Sequence, residues 1–418
     1  MPVFKELAST DFRTTTSTLN QLIDVTKTTI SGSSTRKTYE VFVSGSTSTA
    51  LTSSIFQTIF DQSITLSTAN EVFDVTVGLY YSSSIVTASL SGTDSSGKSI
   101  FKGGSAMMRE KVNIYKQYAQ ALLGDETAVF TTPFVSSTST NIDAALFLSF
   151  KRLFTRDKIK RETFAITMYS SATLDGSQFV PQYQKDILNV YTGSNLDKES
   201  TSGSMIFTDT GAASVIEYSP GGQVGNIVNA ANTSQNVGLL FYDYGIAVLD
   251  MSKVFFSTQH MSGVIDADVS ALSPAAAGTT IIGRPSYSTS NVSASFLPDF
   301  VVSASIDDIV NHICSTRFPS TTDTAITFQN NTSINSSLIF CRATADEFNY
   351  SSNPSFTDSE GRIVVIDEGE ESTQKVFSFI TTVGLYDAAN NLLAVAKLSR
   401  PLEKNDEKDL TIRVRLDV

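Results

Sequence analysis

The sequence predicts a mainly β protein with a few helices (α+β), divided into several domains and ending in an antiparallel β-sandwich-like domain. Three observations carry this. The final run Leu410-Thr411-Ile412-Arg413-Val414-Arg415-Leu416-Asp417-Val418 alternates strictly between apolar and polar residues, the two-residue period of a half-buried strand. Short apolar runs bounded by Gly, Ser, Asn and Asp recur along most of the chain, as strands punctuated by turns do. Helical periods are confined to a few short segments.

At 418 residues the chain exceeds one ordinary hydrophobic core. Changes of period divide it into an N-terminal arm (1–35), a β-rich region (36–103), a mixed α+β central domain with long loops (104–318) and the C-terminal sandwich-like domain (319–418). In the arm, Leu19, Leu22, Ile23 and Ile30 have the spacing of a short amphipathic helix, although the threonines around them oppose it. Strands are expected at Tyr39 to Val43, Ile55 to Phe60 and Val72 to Tyr80. A hairpin-like pair, Ile85 to Leu90 and Ile100-Phe101, brackets a Gly- and Asp-containing turn.

Ser105 is placed to cap a helix carrying Met108, Val112, Tyr115, Ala119 and Leu122 on one face, with Gly124 at its end. A second helix is expected after Thr140-Asn141, from Ala144 through Leu148 to Arg152. The cations Lys151, Arg152, Arg156, Lys158, Lys160 and Arg161 read as a solvated helix end and loop, or else as a surface for an acidic partner. Strands return at Thr163 to Met168, Ser204 to Phe207, Ser214 to Tyr218, Val237 to Tyr242 and Ala247 to Leu249. A third helix, Ile306 to Ser315, opens on Ser305 and Asp308, which resembles a capping box.

Beyond Phe318 six strands are expected: Ala325 to Phe328, Ser337 to Arg342, Arg362 to Ile366, Val376 to Leu385, Leu392 to Leu398 and Leu410 to Leu416. Asp387 to Asn391 makes a hairpin turn, and Pro401 to Asp409 a charged connection. The pentamer Thr76-Val77-Gly78-Leu79-Tyr80 recurs as Thr382-Val383-Gly384-Leu385-Tyr386. It reads as coincidence or as two related strands that share a sheet.

Acidic residues outnumber basic ones 42 to 30, for a net charge of -12. No basic run of the kind a duplex nucleic-acid binder needs is present, so no nucleic-acid partner is expected. The N-terminus has no signal-peptide pattern and no segment reaches the apolar length of a membrane span, so no membrane partner is expected either. Cys314 and Cys341 read as small buried hydrophobes, and His260 and His312 leave little for imidazole chemistry.

Two stretches rival a purely structural reading. Phe207-Thr208-Asp209-Thr210-Gly211-Ala212 looks like the active-site loop of aspartic proteases, and Ile281-Ile282-Gly283-Arg284 like the second motif of their retroviral members. Such chemistry needs two carboxylates sharing a proton, so Asp209 would need its counterpart from a symmetric partner subunit. The simpler reading is a turn after a strand. Asp367, Glu368, Glu370 and Glu371 could hold Ca²⁺ through carboxylate oxygens, but they lack alternating ligand order and read more simply as a solvated acidic hairpin tip. No cofactor is expected.

Several blocks carry a resemblance. Phe348-Asn349-Tyr350-Ser351-Ser352-Asn353-Pro354, Thr381 to Asp387, Leu392 to Pro401 and Leu410 to Val418 form the C-terminal part. Met108 to Tyr115, Phe147 to Phe154 with Asp157 to Lys160, and Val237 to Tyr242 leading into Gly245 to Leu249 form the middle. In this order they resemble the virion structural proteins of large contractile-tailed bacteriophages. The resemblance implies a non-enzymatic structural component of a virion, assembled in the host bacterial cytoplasm; its place is read as the tail or baseplate, or alternatively the neck or head surface. It implies other virion proteins as partners and a symmetric homo-oligomer or multi-copy ring. An aspartic-protease-like dimer using Asp209, or a receptor- or glycan-binding β module, are the readings from other classes.

Overall fold

The computed structural model describes residues 4–26, 29–30, 32–43, 51–91, 106–170, 173–174, 198–199, 204–214, 216–255, 258–260, 293–295, 297, 301–303, 305–318, 324–351, 353–370 and 372–417. The chain divides into two compact units, one of Asn20–Thr332 and one that joins Met1–Leu19 to Ser333–Val418. These units cut across the sequence divisions at 35, 103 and 318. The reason is that Phe12–Thr26 (β1) and Thr324–Ala343 (β11) are single long strands, neighbours in one sheet, whose residues are shared between the units. Neither the helix suggested for the arm nor the two separate strands expected between Ala325 and Arg342 form. The β-propensity of the threonine-rich run prevails in β1.

The larger unit is built on an antiparallel sheet. Its strands are Arg36–Val43 (β2), Leu51–Phe60 (β3), Glu71–Leu79 (β4), Ala144–Phe150 (β5), Ala165–Tyr169 (β6), Ser204–Thr208 (β7), Gly222–Asn229 (β8), Asn232–Phe241 (β9) and Ile246–Asp250 (β10). Their spatial order is β11-β6-β7-β8-β9-β10-β5-β4-β3-β2. Neighbours pair antiparallel, with Phe73 against Phe150 in β4/β5 and Leu239 against Val248 in β9/β10. Ala144–Phe150 is therefore a strand where the sequence suggested a helix. Six of its seven residues are buried, so both faces are apolar, and such a run has no two-residue period to separate it from a buried helix.

Ser84–Ser91 (α1) is the reverse case, a helix where a strand was expected; the second half of that expected hairpin lies outside the described residues. Ala106–Leu123 (α2) is helical as its period predicts and packs on β4, while Ser105, its expected cap, lies outside the described residues. Its Tyr115 and β4's Gly78 fit closely: a Cβ on Gly78 would stand 2.9 Å from the Tyr115 backbone nitrogen and 3.0 Å from the Phe147 ring. Ile306–Thr316 (α3) lies on β3 and β4. There Gln57 donates to Asp307 (2.9 Å) and Asn311 (2.7 Å), and buried Arg36 donates to the same Asn311 (3.2 Å).

The smaller unit is a two-layer arrangement. In one layer the second half of β11 pairs antiparallel with Leu410–Asp417 (β14), from Ser336 opposite Asp417 to Ala343 opposite Leu410. The other layer is the hairpin of Phe377–Tyr386 (β12) and Leu392–Asn405 (β13). Ile339, Leu385 and Val414 are buried between them, with Cys341, Val383, Ala394, Ala396, Ile412 and Leu416 packed around. The unit is sandwich-like, in keeping with the mainly β class that the sequence predicts, but the expected strand Ala325 to Phe328 falls in the larger unit and two further corrections apply. Arg362 to Ile366 is a turn region holding one isolated bridge, Thr357 to Ile363, and no strand. The expected connection at Pro401 continues β13 as far as Asn405.

The chain's start belongs to this unit through specific contacts. Lys5 pairs with Glu347 at 2.5 Å, Asp11 with Arg342 at 3.1 Å, and Thr16 donates to Asn335 at 3.0 Å. The repeated pentamers lie in β4 and β12, in different sheets, so they do not share one as the sequence allowed.

Candidate functional site

Asp209 follows β7 directly, and its side chain is almost fully buried (1 % exposed). Its Oδ2 accepts from the Glu162 backbone N–H (2.7 Å) and from the Tyr242 hydroxyl (2.8 Å), and its Oδ1 accepts from the Phe164 N–H (3.1 Å). Its own carbonyl accepts from Ala212 N–H, closing the turn that Gly211 completes at φ +89. Glu162 in return accepts from the Gly211 and Ala213 N–H groups. The guanidinium of Arg161 lies 5.5 Å from the Tyr242 ring centre. Burial pushes the Asp209 carboxyl above its ordinary range, and the bonds from Tyr242, Glu162 and Phe164 oppose that rise.

The geometry thus joins three distant segments, the loop at 161–164, the end of β7 and the end of β9, through one carboxylate. Its three donors are the Glu162 and Phe164 backbone N–H groups and the Tyr242 hydroxyl, so the group ties these segments together. Ile281 to Arg284, the other half of the protease-like pattern, lies outside the described residues.

The described members of the acidic run, Asp367, Glu368 and Glu370, do not converge on a common point. Asp367 exchanges two hydrogen bonds with Gln374, both 2.8 Å, Glu368 approaches Arg362 at 3.8 Å, and Glu370 accepts from Thr373. Gly369, at φ +91, makes the turn. Glu371 lies outside the described residues. Among the described residues no group of three or more His, Cys, Asp or Glu side chains is placed to hold a metal ion. Of the basic cluster, Lys151 pairs with Asp74 (2.7 Å) and Glu71 (3.1 Å), and Lys160 donates to Gln329 (3.1 Å).

The C-terminal blocks assemble around a residue the sequence reading passed over. Lys404 is fully buried, and its Nζ donates to the Asn349 Oδ1 (2.7 Å), the Asn405 carbonyl (2.7 Å) and the Ala345 carbonyl (3.1 Å). Asn349 also donates to Ala345 O at 2.6 Å. Phe348, at φ +58, turns its carbonyl to accept from Ser378 of β12 (2.7 Å). The Phe348-Asn349 pair is therefore a clasp between the loop after β11 and the hairpin. One signal was available: Lys404 shares the even-numbered phase of the inward residues Ala394 and Ala396.

Among the described residues the hairpin's other face is uncovered. Tyr386, Leu392, Leu393 and Val395 are 45–68 % exposed, as are Phe379 and Phe4. Phe4 meets Tyr386 edge-on with ring centres 5.0 Å apart. Comparison with family models, with characterised proteins and with solved structures finds no match.

Proposed function

We propose that this chain is a non-enzymatic structural component of the virion of a large contractile-tailed bacteriophage, sited in its tail or baseplate, where it makes protein–protein assembly contacts. The carrying observation is the apolar outer face of the β12/β13 hairpin. It is formed by the very blocks whose sequence resembles the virion proteins, together with Phe4 from the chain's start. Contiguous exposed apolar surface on a folded unit marks a place where another protein sits, and obligate assembly interfaces are of this chemistry. The Asp209 tie and the Lys404 clasp support the same reading, because they spend buried polar groups on rigidity. A rigid scaffold of this kind suits a subunit held by several neighbours.

The test is mass spectrometry and cryo-electron microscopy of purified particles from a phage encoding the chain. Stoichiometric presence, with density for the small two-layer unit against a neighbouring subunit, is the expected result. Absence of the chain from washed particles refutes the reading. Loss of a self-processing activity on changing Asp209 to Asn, in a variant that stays folded, would replace it with the protease reading.

A further inference from the structure

The smaller unit carries two exposed faces of different chemistry, and we propose that they bind each other between copies of this chain, head to tail. The proposal rests on the assembly reading and names one of its partners: a second copy.

The first face is the outer side of the hairpin. Val383 opposite Ala396 and Leu385 opposite Ala394 point inward, so Gly384 opposite Val395, one position out of phase, points outward. Gly384 is what flattens this surface. A Cβ there would stand 2.9 Å from the Tyr386 ring and 3.3 Å from Leu392 Cδ1, so both side chains lie across the glycine. With Phe4 against Tyr386, the result is an aromatic and aliphatic platform. A sheet apolar on one side needs one cover, and one apolar on both sides needs two.

The second face is the outer side of the other layer. Ile339, Cys341, Ile412, Val414 and Leu416 point inward. The alternate pairs, Phe340 opposite Arg413, Leu338 opposite Arg415 and Arg342 opposite Thr411, therefore point outward. Arg413 has no partner among the described residues. Arg415 meets Asp417 at 2.7 Å and Arg342 meets Asp11 at 3.1 Å, all but Asp11 more than half exposed. The exposed Arg415–Asp417 pair is of the kind that exchanges readily, although Arg415 also donates to Ser336 at 3.0 Å, and Arg342 is held by the largely buried Asp11.

A guanidinium plane stacks on an aromatic ring and keeps hydrogen-bonding at its rim, so an arginine face and an aromatic platform are complementary. Tyrosine and arginine also carry a disproportionate share of interface energy. The arginine face would repel a copy of itself. Because the inward residues of the two layers point at each other, the two outer faces look in opposite directions. A contact joining one face to the other is therefore heterologous, and repeated copies close into a ring or continue as a stack.

The experiment is light scattering on the full-length chain at tens of micromolar, at low and raised salt. The wild type is expected to self-associate. Arg413→Glu with Arg415→Glu, and separately Leu393→Asp with Val395→Asp, should each weaken this by roughly tenfold or more. The charge-neutral pair Arg413→Gln with Arg415→Gln should weaken it less. All these positions are solvent-facing, and circular dichroism checks their folding. The deciding sample is a mixture of the two double variants. Each retains one intact face, so a discrete one-to-one dimer should form.

A monomeric wild type, or a mixture that stays monomeric, overturns the proposal. So does loss of association in the apolar variant alone, which would mean an isologous apolar contact. A chain present in particles yet monomeric in solution and apart from its own copies would sink this inference and leave the virion assignment standing.

Discussion

Removing the Asp209 carboxylate is the sharpest test of how the larger unit is held together. Asp209→Ala leaves three donors without an acceptor, the buried Phe164 N–H and Tyr242 hydroxyl and the partly buried Glu162 N–H. Each orphaned donor costs about 1–3 kcal/mol, and they are not fully additive because the vacated space lets them shift. Against this stands relief of a buried charge, which burial already disfavours in Asp209. The net expectation is a loss of about 3–5 kcal/mol. Asp209→Asn keeps one acceptor oxygen but turns an amide N–H₂ toward donors, for about 2 kcal/mol, and Tyr242→Phe removes one bond for about 1 kcal/mol.

Urea unfolding followed by circular dichroism gives the free energies. Hydrogen-exchange mass spectrometry of peptides from β7, β8 and β9 reports whether the loss is local to this corner. A shift below about 1 kcal/mol for Asp209→Ala, outside the range of a buried-network disruption, would refute the tie. The pH dependence adds a signed check. The folded carboxyl has a raised pKa, so its contribution to stability is fully present below the ordinary carboxylate value and is lost as pH rises through the raised one. Stability of the wild type relative to Asp209→Asn should therefore fall as pH rises through that window.

Three further outcomes are expected. Lys404→Met removes an ammonium with three oxygen partners and should cost about 2–4 kcal/mol once the recovered desolvation is counted; calorimetry reads the loss, and exchange in the 344–351 and 400–405 peptides locates it. Deleting Val414 to Val418 strips half of β14, including buried Val414, and limited proteolysis should then cut within the smaller unit far faster than in the full chain. Gly78→Ala drives a methyl into the Tyr115 backbone and the Phe147 ring and should cost about 1–3 kcal/mol by overpacking, measured by thermal melting.

Local pattern made a good part of this fold legible. The alternation through Leu410 to Asp417 and the helical period from Met108 to Leu122 both hold, because each is decided by which side of one element faces a core. The turn residues around Asp387 likewise marked a real hairpin. Elements buried on both sides escaped: Ala144 to Phe150 has no polar face, so its period is silent. The long strand β11 escaped as well, because the polar residues in its middle, Gln329 to Ser333, looked like a break.

Of the candidate residues, Asp209 and Asp367 were visible as chemistry but not as structure. What Asp209 does depends on Glu162, Phe164 and Tyr242, whose meeting is a product of sheet order and of no local word. The sequence by itself determined the class of fold, the final strand with its inward and outward phases, and the turn of the hairpin. Only the tertiary structure decided that the chain's two ends build one unit, that Lys404 is its clasp, and that Asp209 is tied off. The physical reason is that side-chain phase is a property of neighbours along the chain, whereas strand partners, and so every buried hydrogen bond between them, are chosen by long-range packing.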